Sequence, residues 1–559
     1  MAKIIKKKKK GLKSLRSTGS SSVETSPLRP KFVEKQPPCG NACPNHNQIR
    51  KWLTTIAKAE DYGKTLDEAF EEVFYTALET TPFPATCGRV CPHPCESECN
   101  RKEKEGAVGI NKVERFIGDF GIEKKLAPKK LTDEQRSEKI AIVGSGPAGM
   151  SCAYHLARRG YPVTVFEAFP KSGGMLRYGI PNYRLPAEVL DAEINRILDM
   201  GVELKLNTPI GKDISMDDLR KDYKAIFVGI GAHQGLKLRV EGEDAENVFT
   251  GTDFLHRVNN GESINVGSKV VVIGGGDTAI DAARAARRMG AEATILYRRT
   301  RTEMPAIDEE VEGAEEEGVK IELLAAPIEI YTSNGKATGM KCQRMELGEP
   351  DASGRRRPVP IEGDTFDAEF TTLIAAISQA PDFEGFDSLI EGKDWIKIDE
   401  HGKTKAADVF SGGDNTNLGL VIDAIAHGRV AAQAIHEMIA GEPFPESAKL
   451  DIIRTDKMKL SYYDEKQRLQ AAALPVEKRF ADPDAEIVST LPSDSAVEEA
   501  KRCMSCGYCF DCGSCWSYCQ DNAVVKPVIK GQPYKFKMEF CNGCKKCAEN
   551  CPCGYIEMH

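Results

Sequence analysis

Near the end of this 559-residue chain, two runs of cysteine have a spacing that holds inorganic clusters. Cys509-xx-Cys512-xx-Cys515-xxx-Cys519 is followed by Cys541-xx-Cys544-xx-Cys547-xxx-Cys551-Pro. In such a doubled pattern the fourth cysteine of each run ligates the cluster of the other. Cys509, Cys512, Cys515 and Cys551 are therefore expected to hold one [4Fe–4S] cluster, and Cys541, Cys544, Cys547 and Cys519 the second. Zinc also takes four thiolates, but interlocked runs of this spacing favour the cubane. Seventeen of the nineteen cysteines fall in two windows, 39–99 and 503–553, leaving Cys152 and Cys342 between them. The basic N-terminus lacks the apolar stretch of a signal peptide, so a cytoplasmic, reducing compartment is expected. A disulfide framework does not form there, and clustered thiols then point to metal.

Two glycine turns supply the other chemistry. Gly144-Ser-Gly146-Pro-Ala-Gly149 follows the apolar run IAIV and opens a helix. Glu167 ends the next strand, eighteen positions past Gly149. The tight turn, the approach of a pyrophosphate and the helix–strand contact each need a residue without a side chain, and the acid suits a ribose hydroxyl. Gly274-Gly-Gly276-Asp277-Thr278-Ala279 repeats the plan about 130 residues later. There Tyr297, eighteen positions past Ala279, is followed by Arg298 and Arg299 in place of an acid. A guanidinium pair matches a 2′-phosphate, so NADPH is expected over NADH. A third segment (409–435) passes from a strand through Gly-Gly-Asp into a helix of small residues, and Asp414 is expected to contact a ribityl or ribose hydroxyl of the first dinucleotide.

These motifs need particular elements beneath them. Residues 1–35 are rich in Lys, Ser and Pro without periodicity and predict a disordered basic tail. Residues 36–120 carry the first cysteine window among helical stretches at 49–59 and 65–78, and predict a helical iron–sulfur domain. Strands and helices alternate from Lys139 onward, which predicts the α/β class with two Rossmann-like dinucleotide-binding domains. The first spans 138–255 and 373–450, and the second, for the nicotinamide nucleotide, spans 256–372. Residues 451–502 read as a polar linker and 503–559 as a ferredoxin-like domain with two clusters. No apolar run of about eighteen residues occurs, so membrane insertion is not expected. A net charge of −8 argues against a nucleic-acid partner.

Taken together, GSGPAGM (144–150), GGMLRYGIPNYRLP (173–186), GGGDTAIDAAR (274–284), YRRTRTEMPA (297–306) and SGGD (411–414) resemble the glutamate-synthase small-subunit family. The resemblance covers about residues 36–440. It implies FAD at Gly144, Gly146, Gly149, Glu167, Gly174 and Asp414, and NAD(P)H at Gly274, Gly276, Asp277, Thr278, Ala279, Arg298 and Arg299. Cys39, Cys43, Cys87, Cys91, Cys95 and Cys99 resemble the family's N-terminal two-cluster domain, with Glu114 as a carboxylate ligand. Those are seven ligands where two cubanes need eight.

Cys503 and Cys506, in EEAKRCMSC, resemble the segment that family members carry just before that domain. They are expected to join Cys39 and Cys99 on one cluster, while Cys43, Cys91, Cys95 and Glu114 hold its neighbour. The same pair could come from the other subunit of a homodimer, or stand idle beside the C-terminal clusters. Cys87 either ligates or packs, and Cys553 is left over.

The activity implied is that of an iron–sulfur flavoprotein NAD(P)H:acceptor oxidoreductase. Its cofactors carry the chemistry, so no acid–base side chain is nominated. The ferredoxin-like end is the expected port to a redox partner protein. This layout resembles the iron–sulfur flavoproteins associated with dissimilatory sulfite reductase, which implies that enzyme as partner and a place in sulfur metabolism. The alternatives are a glutamate synthase small subunit and an electron-bifurcating NAD(P)H:ferredoxin oxidoreductase subunit.

Overall fold

Apolar runs buried on both faces set the architecture. Ile140–Val143, Val163–Phe166 and Ala225–Val228 are buried at every position, as parallel strands covered by helices must be. With Glu203–Lys205 on one edge and Val409–Ser411 on the other, they form a five-stranded parallel sheet. Ile140 stands opposite both Val163 and Ala225. This computed structural model describes residues 25–352, 354–392, 395–443 and 449–559. A second five-stranded parallel sheet runs Lys320–Leu323, Glu292–Tyr297, Lys269–Ile273, Thr372–Ala375, Val248–Thr250. From the central strand of each sheet a glycine turn leads into a helix, Pro147–Ala157 in the first and Asp277–Arg288 in the second. The α/β class with two Rossmann-like domains is thus the architecture of the chain.

The chain leaves the first sheet and returns to it through Gln234–Gly235 and Gln379–Ala380, which pair antiparallel. Val248–Thr250 and Thr372–Ala375 both lie in the second sheet, so the expected boundaries at 255/256 and 372/373 move outward. Strands of three or four residues carry too little period to be placed from sequence. A three-stranded antiparallel sheet, Ala325–Ser333, Lys336–Pro350 and Arg356–Glu369, extends from the second domain.

Ahead of the sheets, the helices Ile49–Ala57, Leu66–Leu78, Pro84–Val90 and Ile110–Glu123 pack into one apolar core. Two glycines let the last two helices meet. A Cβ on Gly88 would lie 2.3 Å from the Arg115 backbone, and one on Gly118 would lie 2.2 Å from the Ala85 amide.

The stretch 451–502, expected to be a linker, is built into the structure instead. Its residues from Asp464 onward belong with Gln36–Ile452 in one compact unit that ends at Met504. Ile487 donates its amide to the Tyr183 carbonyl at 3.0 Å. Arg89 Nε donates to Glu486 Oε1 at 2.7 Å, and Arg115 Nη2 donates to the Val488 carbonyl at 2.6 Å. Arg502 is buried, with Nη1 donating to the Ala107 carbonyl at 2.8 Å. Of the charged residues that suggest a solvated linker, Arg479, Glu499 and Arg502 are buried and paired here.

A second compact unit comprises residues 25–35, Ile453–Tyr463 and Ser505–His559. Residues 1–24 of the expected tail lie outside the described residues, but Pro30–Phe32 is a strand paired antiparallel with Ile556–Met558. Phe32 stacks on Phe536 and Tyr555, with centroids 4.5 and 5.2 Å away. A three-residue strand in a Lys- and Pro-rich context gives no signal of its own.

Candidate functional site

The first glycine turn opens onto a cavity of about 360 Å³ lined by Gly144, Gly146, Glu167, Gly174 and Asp414, among others. Gly144 has φ +98°, and a Cβ there would strike the Gly229 carbonyl oxygen at 2.3 Å. Gly146 caps the helix Pro147–Ala157 and faces Gly174, where a Cβ would come within 2.8 Å of the Gly146 Cα. These two glycines leave a slot at a helix N-terminus, which suits a pyrophosphate. Gly149 lies outside the cavity lining, and its Cβ would meet the Gly144 carbonyl oxygen at 1.9 Å. Its place is the helix–strand contact. Glu167 is buried and accepts from the Ser145 amide and the Phe169 amide, both at 2.9 Å, so the acid also fixes the glycine loop.

The second glycine turn opens onto a cavity of about 520 Å³ lined by Gly274, Gly276, Thr278, Arg298, Arg299 and Asp414. Asp277 and Ala279, expected to touch the cofactor, are absent from this lining. Asp277 Oδ1 accepts from the Ile307 amide at 3.0 Å, and Ala279 is fully buried beneath the turn. Asp414 lines both cavities. Burial pushes its carboxyl up to about 6, with Asp423 adding to the rise and the Gly419 amide opposing it. The long helix Val421–Ala440 that follows packs on Pro147–Ala157 through Gly428, whose Cβ would lie 2.1 Å from the Ala148 oxygen.

The donor sets fit iron–sulfur clusters. Cys43, Cys87, Cys91, Cys95 and Glu114 are buried together; burial raises the thiols of all four cysteines, and Glu114 raises them further. Glu114 is itself pushed up to about 8 by burial, with Glu193 and Glu96 adding to the effect and no cation among the described residues opposing it. A buried carboxyl among buried thiols lacks a compensating charge, which a cluster would provide. The helix Pro84–Val90 that carries Cys87 is held by Glu193, whose two oxygens accept from the Ala85 amide at 2.8 Å and the Thr86 amide at 2.9 Å. The sequence reading missed Glu193. Its signal is an acid set among the buried Leu190, Ile194 and Ile197 of one helix.

Cys99 belongs to the same core, and Cys39 and Cys503 pack against it. The Arg502 carbonyl, one residue before Cys503, accepts from Arg101 Nη1, two residues after Cys99. Cys506 lies in the second unit. In that unit Cys509, Cys512, Cys515 and Cys551 line one small cavity with Cys553. Cys541, Cys544 and Cys519 are near enough to raise the Cys547 thiol, although its own burial raises it most.

Residues 138–428 match the family model described as pyridine nucleotide-disulphide oxidoreductase. Residues 33–126 match dihydropyrimidine dehydrogenase domain II, 4Fe–4S cluster. The chain is 38% identical over 520 residues to the NADPH-Fe(3+) oxidoreductase subunit beta of Geobacter sulfurreducens, covering 85% of this chain and 76% of that one. It is 36% identical to the NADP(+)-dependent formate dehydrogenase subunit beta of Moorella thermoacetica, over 84% of this chain and 70% of that protein. The glutamate synthase [NADPH] small chain of Escherichia coli is 37% identical over 430 residues, 71% of this chain and 88% of its own.

Proposed function

We propose an electron route for this chain, which belongs to the pyridine nucleotide-disulphide oxidoreductase family and, within it, to the iron–sulfur flavoproteins that include the glutamate synthase small chain. It is an NAD(P)H oxidoreductase with FAD and [4Fe–4S] clusters. The route runs from NADPH to a redox partner protein. FAD supplies hydride acceptance and one-electron release, and the clusters supply the relay. The observation that carries this reading is the shared wall: Asp414 lines both dinucleotide cavities, so the two cofactors would meet beside it.

The chain's own residues bind and orient. Gly146 and Gly174 leave the slot for the pyrophosphate of FAD, Glu167 fixes the loop beside it, and Arg298 presents a cation to the 2′-phosphate of NADPH. Glu114, Cys43, Cys91 and Cys95 would hold one N-terminal cluster. Cys503 would complete the other beside Cys39 and Cys99, supported by the Arg101 bond to the Arg502 carbonyl.

For the exit, the cluster cysteines Cys519, Cys541 and Cys544 are only half-buried, and Trp516, Tyr518, Val528, Ile529 and Phe540 of the same unit are exposed. Exposed apolar groups of this size around an electron port fit a docking partner. Two relatives are described as beta subunits, which supports work within an assembly. The partner proposed is dissimilatory sulfite reductase, in sulfur metabolism. The support for it is the layout, in which a two-cluster tail follows the flavoprotein body.

Anaerobic assay of the purified protein tests both levels. NADPH should be oxidised faster than NADH with a viologen dye, and NADPH oxidation should also reduce added sulfite reductase. Dye reduction without sulfite reductase reduction would remove that partner and leave the oxidoreductase. An absence of nucleotide oxidation would remove both.

A further inference from the structure

The wall of the nicotinamide-nucleotide cavity at the end of strand Glu292–Tyr297 holds three arginines, Arg298, Arg299 and Arg355, and they are not equivalent. Arg298 is exposed and makes no hydrogen bond or ion pair among the described residues. Arg299 is 5% exposed and fully engaged. Its Nη2 donates to Asp351 Oδ2 at 2.8 Å and its Nε donates to the Arg356 carbonyl at 2.7 Å. Asp351 lies on the turn that joins Lys336–Pro350 to Arg356–Glu369, and Arg356 is the first residue after it. The turn is closed by the Asp351 amide donating to the Arg355 carbonyl at 2.7 Å and the Gly354 amide donating to the Asp351 carbonyl at 2.9 Å. Arg356 points back along its own hairpin, donating to the carbonyls of Leu347 at 2.6 Å and Gly348 at 3.0 Å. Arg355 is the arginine of this turn that lines the cavity.

We propose that Arg355, together with Arg298, reads the 2′-phosphate of NADPH, and that Arg299 is a positioning residue that holds the turn carrying Arg355 against the cavity. The inference rests on the reading of this cavity as the NADPH site. A phosphate dianion is bound best by guanidinium groups that arrive from different directions, each able to give two parallel hydrogen bonds. Arg298 arrives from a parallel strand and Arg355 from an antiparallel hairpin far along the chain. Arg299, already neutralised by Asp351, has little left to offer an anion.

Calorimetric titration of the full chain, loaded with FAD and clusters, with 2′,5′-ADP and with 5′-ADP tests this. The wild type should prefer 2′,5′-ADP. Arg355→Ala should weaken 2′,5′-ADP by about tenfold or more, the worth of a charge-assisted contact, and leave 5′-ADP unchanged. Arg355→Lys should recover part of the loss. Asp351→Ala should also weaken 2′,5′-ADP, because the turn is released, although removing an acid beside an anion would by charge alone tighten it. Equal effects of Arg355→Ala on both ligands, or none on either, would overturn the assignment of Arg355. Tighter binding by Asp351→Ala would overturn that of Arg299. A wild type with no preference would instead overturn the NADPH reading on which the inference rests.

Discussion

Glu317 is the residue whose loss should cost most for its size. Its side chain has no exposure, and its two oxygens take Arg284 Nη2 at 2.7 Å, Arg284 Nε at 3.0 Å, Arg288 Nη1 at 2.7 Å and Arg479 Nη1 at 3.3 Å. Arg284 and Arg288 lie on the second glycine helix, and Arg479 comes from the segment after Asp464. One carboxylate therefore ties that segment to the nicotinamide-nucleotide domain. Burial alone would push Glu317 up, but the hydrogen bonds from Arg284 and Arg288 outweigh it and hold the group at about 2.

Glu317→Ala leaves three guanidinium groups close together with little water. Removing one partner of a buried ion pair costs about 3–5 kcal/mol. The midpoint of urea unfolding measures it, with Arg479→Ala and the double variant completing a cycle. Since the unfolded carboxyl titrates near about 4.3 and the folded one lower, the stabilisation is fully present above about pH 4.3. It is lost as pH falls toward about 2. The gap between wild type and variant should therefore be constant from neutral pH to mildly acidic pH and narrow below it. A loss under about 1 kcal/mol, or a gap unchanged in acid, would refute the view that this carboxylate organises the arginines.

Arg298→Glu should raise the KM for NADPH by about tenfold or more and affect NADH far less, read from initial rates with a dye acceptor. Asp414 has the opposite linkage to Glu317. Its folded pKa of about 6 lies above the unfolded value of about 3.9, so the flavin-free protein should gain stability as pH falls from about 6 to about 4. Asp414→Asn should abolish that gain in urea midpoints and weaken FAD binding. Cys503→Ala should lose about four irons per chain by iron analysis while the C-terminal clusters keep their EPR signal, and full iron content would count against Cys503 as a ligand. Cys541→Ser with Cys544→Ser should preserve NADPH oxidation with a small dye and abolish reduction of the protein acceptor.

The sequence made the two glycine turns readable because each combines a buried apolar strand, small residues at fixed offsets and a helix of small residues. Those requirements are local. That Cys551 lies with Cys509, Cys512 and Cys515 around one small cavity was equally legible, since the interlocked spacing implies it. What could not be read depends on contacts between distant segments. Arg299 and Arg298 are neighbours in sequence, yet one is consumed by Asp351 from a hairpin and the other faces the cavity. Arg479, Glu486, Glu499 and Arg502 read as a solvated linker because their partners, Glu317, Arg89, the Gly109 amide and the Ala107 carbonyl, lie hundreds of residues away or on other elements. Glu193 carries no motif, and only the helix end that it holds gives it a role.

In the proposed route, electrons from NADPH cross the flavin site and reach the clusters of the same chain. Anaerobic addition of NADPH to the FAD-loaded, cluster-replete protein, with optical spectra for the flavin and EPR of frozen samples for the clusters, tests it most directly. The flavin should bleach and a reduced [4Fe–4S] signal should appear with it, and Cys541→Ser with Cys544→Ser should diminish that signal. A bleached flavin with clusters that stay oxidised under NADPH, yet are reduced by dithionite, would contradict it.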